Sequence, residues 1–318
     1  MNPPVFMSGW RFRLLLLSAV LAAMGYVAVS LIGGWTDVFS SVIKIGLPVI
    51  LVALFLSLVN YGLRFIRWNS YLVSLGYRLK FFRHLQIYLS GFALTATPGK
   101  AGEALRSVLL EPMGVRYSHS LAALLSERFS DIMAVLLLSS LFVMAHPEFY
   151  IIGIVFLFAC AVFAALLQRA PQQFFRNILS VRKSRVSELL LKVLSVFEQT
   201  RLCNTPLTVS SGLILGLVAW AAEGLAFWLM LEQVGADISW YLAISIYCLS
   251  MLAGAASFMP GGLGGAEAAM AAMLTMSGVP LPVAIAVTLV IRLATLWFAV
   301  LIGLFLTLPF LKGVKSDA

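Results

Sequence analysis

Two carboxylate and arginine couples stand out in a chain with few charges. Glu103 is followed twenty-five residues later by Arg128, and Glu267 twenty-five residues later by Arg292. Each glutamate follows a Pro-Gly turn. The first reads Thr97-Pro98-Gly99-Lys100-Ala101-Gly102-Glu103-Ala104, the second Met259-Pro260-Gly261-Gly262-Leu263-Gly264-Gly265-Ala266-Glu267-Ala268. Proline and glycine stop a helix and permit a tight reversal. The Glu-Ala segment then opens the next helix, whose free N–H groups and partial positive charge make a ready anion site. The candidate substrate-binding residues are therefore Pro98, Gly99, Lys100, Gly102, Glu103, Arg106 and Arg128 at the first turn. At the second they are Pro260, Gly261, Gly262, Gly264, Glu267 and Arg292. Phosphate is the natural guest, because guanidinium groups bind it through charge-assisted hydrogen bonds. The same couples could instead be buried ion pairs that lock the turns, and the sequence leaves both roles open.

Three more acids fall in apolar stretches: Glu127, Asp131 and Glu223. Glu127 and Asp131 are four apart, on one helical face. They could carry protons or ions, or pair with Arg64 or Arg67. The histidines His84, His119 and His146 and the cysteines Cys160, Cys203 and Cys248 show no ligand spacing, so no metal and no cofactor is expected. No Ser-His-Asp set, phosphate loop of the nucleotidase type or dinucleotide fingerprint is visible, so no catalytic residue is assigned. The expectation is a transporter rather than an enzyme.

What must position these groups is a membrane. Hydrophobic residues make up 61% of the 318 and charged residues 11%, against roughly 45–50% and 25% in soluble domains. Mean hydropathy is +1.00. Apolar runs fall at 14–32, 47–63, 85–97, 119–145, 149–168, 208–231, 241–259, 265–277 and 283–308. The net charge of +9 fits cytoplasmic loops and anionic headgroups and no nucleic-acid partner. Arg11 and Arg13 place the N-terminus inside, with an uncleaved first span. The 33–46 loop is expected outside, and Arg64, Arg67, Arg78, Lys80 and Arg83 inside. The loop 169–206 and the tail are inside as well. Counting crossings between these anchors leaves 85–97 and 241–277 entering and leaving on one face each. They are expected as re-entrant hairpins, the first being too short to span. The expected architecture is a single transmembrane domain over 1–318, all-α and polytopic, with about six full spans and two re-entrant hairpins. It divides into two inverted repeats, 14–145 and 149–308, an arrangement many secondary transporters use. Within 169–206, Val186, Leu189, Leu190, Val193, Leu194 and Phe197 recur at helical spacing. They predict a basic amphipathic helix on the inner surface, the alternative being a solvated connector.

The run Pro98-Gly99-Lys100-Ala101-Gly102-Glu103-Ala104-Leu105-Arg106 resembles the Pro-Gly-x-x-Gly-Glu-x-x-Arg signature of a known family. Glu127-Arg128 with Asp131, Pro260-Gly261-Gly262-Leu263-Gly264 followed by Glu267, and the Arg64/Arg67 end of an early span resemble it too. The family is the flippase-like membrane region of lysylphosphatidylglycerol synthase with its stand-alone relatives, and the resemblance covers roughly 45 to 305. It implies movement of an anionic phospholipid or polyprenyl-phosphate lipid between leaflets of the cytoplasmic (inner) membrane of a bacterium or archaeon. Ten residues follow Leu308, so the synthase activity of bifunctional relatives is not expected here. A non-transporting lipid-binding partner of a lipid- or glycan-modifying enzyme is the alternative.

Overall fold

The computed structural model describes residues 34–96, 101–166, 185–257 and 259–312, together with Gln173, Arg176 and Asn177. Every regular element among the described residues is helical. The predicted first span at 14–32, the turn residues Pro98, Gly99 and Lys100, and the basic residues Arg182 and Lys183 lie outside them.

The chain opens with α1, Trp35–Ser74. At 1.5 Å per residue its forty residues reach about 60 Å, twice the bilayer core. Gly46, at φ 69° and ψ 156°, breaks it into two segments, and Pro48 supplies no N–H to bridge the break. Two sequence expectations change here. The 33–46 stretch is helical from Trp35 rather than a loop. Arg64 and Arg67, counted as cytoplasmic loop charges, lie within α1, and Arg67 is fully buried. Their charge is absorbed inside the protein, so they say nothing about sidedness.

Two short helices follow, α2 (Phe81–Ser90) and α3 (Ala101–Leu110), with a 3-10 turn at Gly91–Leu94 between them. Each is about 15 Å long, half a bilayer core. Then come α4 (Tyr117–Ser139) and α5 (Ile151–Leu166), and after them α6 (Arg185–Cys203), α7 (Pro206–Gln233) and α8 (Trp240–Ala256). A Pro260–Gly262 turn leads to α9 (Gly265–Met276). The chain ends in α10 (Leu281–Arg292), a π turn at Leu293–Trp297, and α11 (Phe298–Lys312).

Among the described residues three helical stretches are long and apolar enough to cross a membrane: Trp35–Ser74, Pro206–Gln233 and Leu281–Pro309. Helix α4 has the length, but Glu127, Arg128 and Asp131 interrupt it. The outside of the molecule carries many large apolar side chains. Leu51, Phe55, Ile214, Leu301 and Phe305 are all more than half exposed, a surface that hydrocarbon solvates and water does not. This is a membrane protein.

Helix α1 packs along α7 and α10, while α8 packs on α4, α7 and α9. The first hairpin lies against α11. Gly303 permits the crossing: a Cβ there would sit 2.2 Å from the backbone nitrogen of Ala93. The second hairpin's turn also meets the first hairpin, since a Cβ on Gly261 would come 3.3 Å from the Cα of Ala96. Gly261 itself holds φ 63°, where a side chain is strained. Helix α6 is formed within the predicted amphipathic stretch. It docks on α4 with Ser187, Thr200 and Cys203 buried, and Asn204 donates to the Ser126 hydroxyl at 2.7 Å.

Candidate anion site between the hairpin turns

The site is built on two clusters. In the first, α4 presents Glu127 and Asp131 one turn apart, toward the C-terminal half of α1. Arg64 Nη2 reaches Asp131 Oδ2 at 3.1 Å and Glu127 Oε1 at 3.4 Å. Arg67 pairs closely with Asp131 Oδ1, which also accepts from Trp220 Nε1 at 3.1 Å. Arg106, from α3, donates to Glu127 Oε2 at 3.0 Å and to the Tyr88 carbonyl at 3.1 Å. Its guanidinium lies 3.9 Å over the Tyr88 ring, and the Tyr88 hydroxyl donates to Glu127 Oε1 at 2.8 Å. Arg128 stands 3.3 Å from Glu127 and 3.4 Å from Asp131. Glu127 is thus tied to arginines of three helices and Asp131 to arginines of two. The pairing with Arg64 and Arg67 that the sequence allowed is present.

The second cluster joins the other hairpin to α10. Arg292 Nε donates to Glu267 Oε1 at 2.7 Å, and Nη2 donates to the Gly261 carbonyl at 2.8 Å. The matched spacing in the sequence therefore marks a real ion pair here. The π turn begins directly after Arg292. Tyr61 of α1 donates to the Thr295 carbonyl within it at 2.5 Å. Such π turns recur at functional sites. The corresponding first couple is not placed: Glu103 sits in the first turn of α3 with Gly102, and its side chain lies outside the described residues.

Between the clusters lies a cavity of about 550 Å³, within the range of small-ligand sites. Four arginines, Arg64, Arg106, Arg128 and Arg292, line it with a single carboxylate, Glu223, among the described residues. Aromatic and apolar groups, including Tyr61, Phe92, Trp220 and Leu296, fill the rest of the wall. Arg128 keeps 26% of its side chain open and Arg64 13%, so these two, in the cluster around Glu127 and Asp131, face the space most freely. Of the sequence candidates, Arg106, Arg128, Gly261, Gly262 and Arg292 reach the wall. Glu267, Glu127 and Asp131 stand behind it as partners of the arginines, and Pro260 and Gly264 belong to the turn at 260–264. Sequence reasoning missed Arg64 as a wall residue, and Trp220 and Tyr247 altogether. For Arg64 the signal was present, since Arg64 and Arg67 lie about one helical turn apart, as Glu127 and Asp131 do. The aromatics sit in apolar runs that give none.

The sequence profile described as the lysylphosphatidylglycerol synthase TM region matches residues 12–303, nearly the whole chain. The chain belongs to that family. Its relatives include a UPF0104 membrane protein of Pyrococcus horikoshii, 22% identical over 94% of this chain and 99% of that one. A UPF0104 membrane protein of Methanothermobacter thermautotrophicus is 25% identical over 80% and 81%. Another, from Archaeoglobus fulgidus, is 27% identical over 73% and 77%. In this member of the family Gly261 and Gly262 of the second Pro-Gly turn and the four arginines line one cavity, although they are far apart in sequence.

Proposed function

We propose that this protein translocates an anionic phospholipid or a polyprenyl-phosphate-linked lipid across the cytoplasmic membrane, acting as a transporter and not as an enzyme. The observation that carries the reading is the cavity wall, which among the described residues has four arginines and one carboxylate where the two hairpins come together. Cations held inside a membrane protein are costly and mark a site of function. Guanidinium forks suit phosphate oxygens. The headgroup enters the cavity while the acyl or prenyl chains stay in the bilayer, against the exposed apolar faces of α1, α7 and α11. Two inverted repeats with re-entrant hairpins opening from opposite faces give the alternating access that such transport needs.

The experiment is lipid transfer between leaflets of reconstituted vesicles, run beside thermal stability, for Glu267→Gln, Arg292→Gln and the double variant. Either single change leaves a buried charge without its partner and costs several kcal/mol, about 3–5. The double variant is expected to regain stability and yet stay inactive, because the cavity has lost an arginine. Near-normal transfer by a stable double variant would reduce the pair to a lock and overturn the assignment of Arg292 to the lipid site.

A further inference from the structure

Glu223 stands apart from the other membrane-embedded acids. Glu127 and Asp131 each face several arginines at 3.4 Å or less, and Glu267 holds Arg292 at 2.7 Å. Glu223 has no ion pair among the described residues. Its described hydrogen bond comes from the Tyr247 hydroxyl, a neutral donor, at 2.7 Å. It is 6% exposed, and it is in the cavity wall rather than behind it. The groups that face it are Tyr61 and Arg64 from α1, Asp131 and Arg128 from α4, Tyr247 and Cys248 from α8, and Arg292 from α10.

This placement has an electrostatic consequence. When the cavity is empty of ligand, an ionised Glu223 would offset part of the charge of the four wall arginines. An anion entering the same space meets the arginines and also a like charge on Glu223. In a site of low dielectric that repulsion is not screened. A proton on Glu223 removes it, and the arginines are then offset by the anion instead. Glu127, Asp131 and Glu267 cannot serve in the same way, because protonating any of them strips an arginine of its direct partner.

We propose that Glu223 takes up a proton as the anionic headgroup binds and releases it when the headgroup leaves, so that lipid and proton share the site. This rests on the reading of the cavity as a lipid headgroup site and adds the ion that travels with it. The proton enters from the aqueous face on which the headgroup loads and leaves on the face where it unloads. The charge of the membrane-buried site is the same before and after loading, which removes the cost of carrying a bare anion through the bilayer. Linkage makes the effect reciprocal: acid pH strengthens anion binding as much as the anion strengthens proton binding.

Two measurements on the full chain test this. In detergent, calorimetry of dimethyl phosphate binding, repeated in buffers of different ionisation heat, counts protons taken up per anion. Dimethyl phosphate stays a monoanion throughout, so any proton taken up belongs to the protein. Close to one proton is expected for the parent and Glu223→Asp, and close to none for Glu223→Gln. Apparent affinity in the parent should change by up to about tenfold per pH unit. In phosphatidylcholine vesicles carrying fluorescent phosphatidylglycerol, an acid pH on the loading side should speed transfer by the parent and leave Glu223→Gln indifferent. Binding or transfer by the parent without proton uptake, or a pH response that survives in Glu223→Gln, overturns the coupling and leaves the lipid site standing. A loss in Glu223→Gln confined to amine-bearing phosphatidylethanolamine would make Glu223 a headgroup contact and also overturn it. If Glu223→Gln does not fold, the proton count of the parent still decides. Failure of the folded parent to bind dimethyl phosphate and to transfer lipid overturns the headgroup site itself.

Discussion

Asp131 shares the buried charge balance of the first cluster with Glu127. Its two oxygens face Arg64, Arg67, Arg128 and the Trp220 indole, and Arg67 has no exposed surface at all. An asparagine would fill the same volume and supply one acceptor where two charged ones stood, while turning two N–H donors toward guanidinium donors. Asp131→Asn is therefore expected to cost about 3–5 kcal/mol, the loss seen when a buried ion pair is broken from one side. Thermal unfolding of the purified protein checks it. A variant as stable as the parent would mean that Arg67 finds its compensation elsewhere. Half of this cluster could be read from the sequence, since Glu127 and Asp131 share a helical face and Arg64 and Arg67 were available as partners. What could not be read was that the arginines point inward. A count of basic residues does not distinguish a loop from the buried end of a long helix. The contact that settles it joins residues 64 positions apart.

At the scale of elements, the packing of the first hairpin on α11 turns on a missing side chain. Gly303 faces the backbone of Phe92 and Ala93, with a Cβ contact of 2.2 Å to the Ala93 nitrogen and 2.7 Å to the Phe92 carbonyl carbon. A backbone cannot move aside as a side chain can, so Gly303→Ala must separate α11 from the hairpin. Overpacking of this kind costs about 1–3 kcal/mol or more. Gly153, in α5, has nothing within 4 Å of its Cβ position, and alanine there should be neutral or gain up to about 1 kcal/mol from helix propensity. Thermal stability of the two variants side by side gives the comparison, and equal stabilities would show that the hairpin is not held at Gly303. The hairpins themselves were legible as short apolar runs beside Pro-Gly turns. The kink at Gly46 was not: an apolar run from 47 suggested a start there, whereas the helix begins at Trp35 and bends. The docking of α6 on α4 was also hidden, because one face of an amphipathic helix suits a protein surface as well as a bilayer surface.

At the scale of the whole molecule the question is which ends share a face of the membrane. The first hairpin gives a local answer. The Tyr77 hydroxyl lies 3.0 Å from His119 Nδ1 and accepts from the Arg116 backbone N–H at 3.2 Å. The loop before α2 and the loop before α4 are therefore neighbours, and the α2–α3 unit starts and ends at one end of the molecule. With Arg64 and Arg67 withdrawn from the charge count, Arg78, Lys80, Arg83 and Arg116 remain on these segments. That end is therefore expected on the cytoplasmic face, since basic residues in short loops are retained on that side. The loop at 232–240 carries Glu232 and Asp237 and no lysine or arginine, and is expected on the opposite face. Single cysteines at Lys80, Arg116 and Asp237 test this, in a background where Cys160, Cys203 and Cys248 are replaced by serine or alanine. A membrane-impermeant thiol reagent applied to intact cells should label the position at Asp237 alone, and all three after permeabilisation. Opposite accessibility of Lys80 and Arg116 would make the first hairpin a full crossing. It would also remove the symmetry with the second hairpin that the proposed alternating access requires.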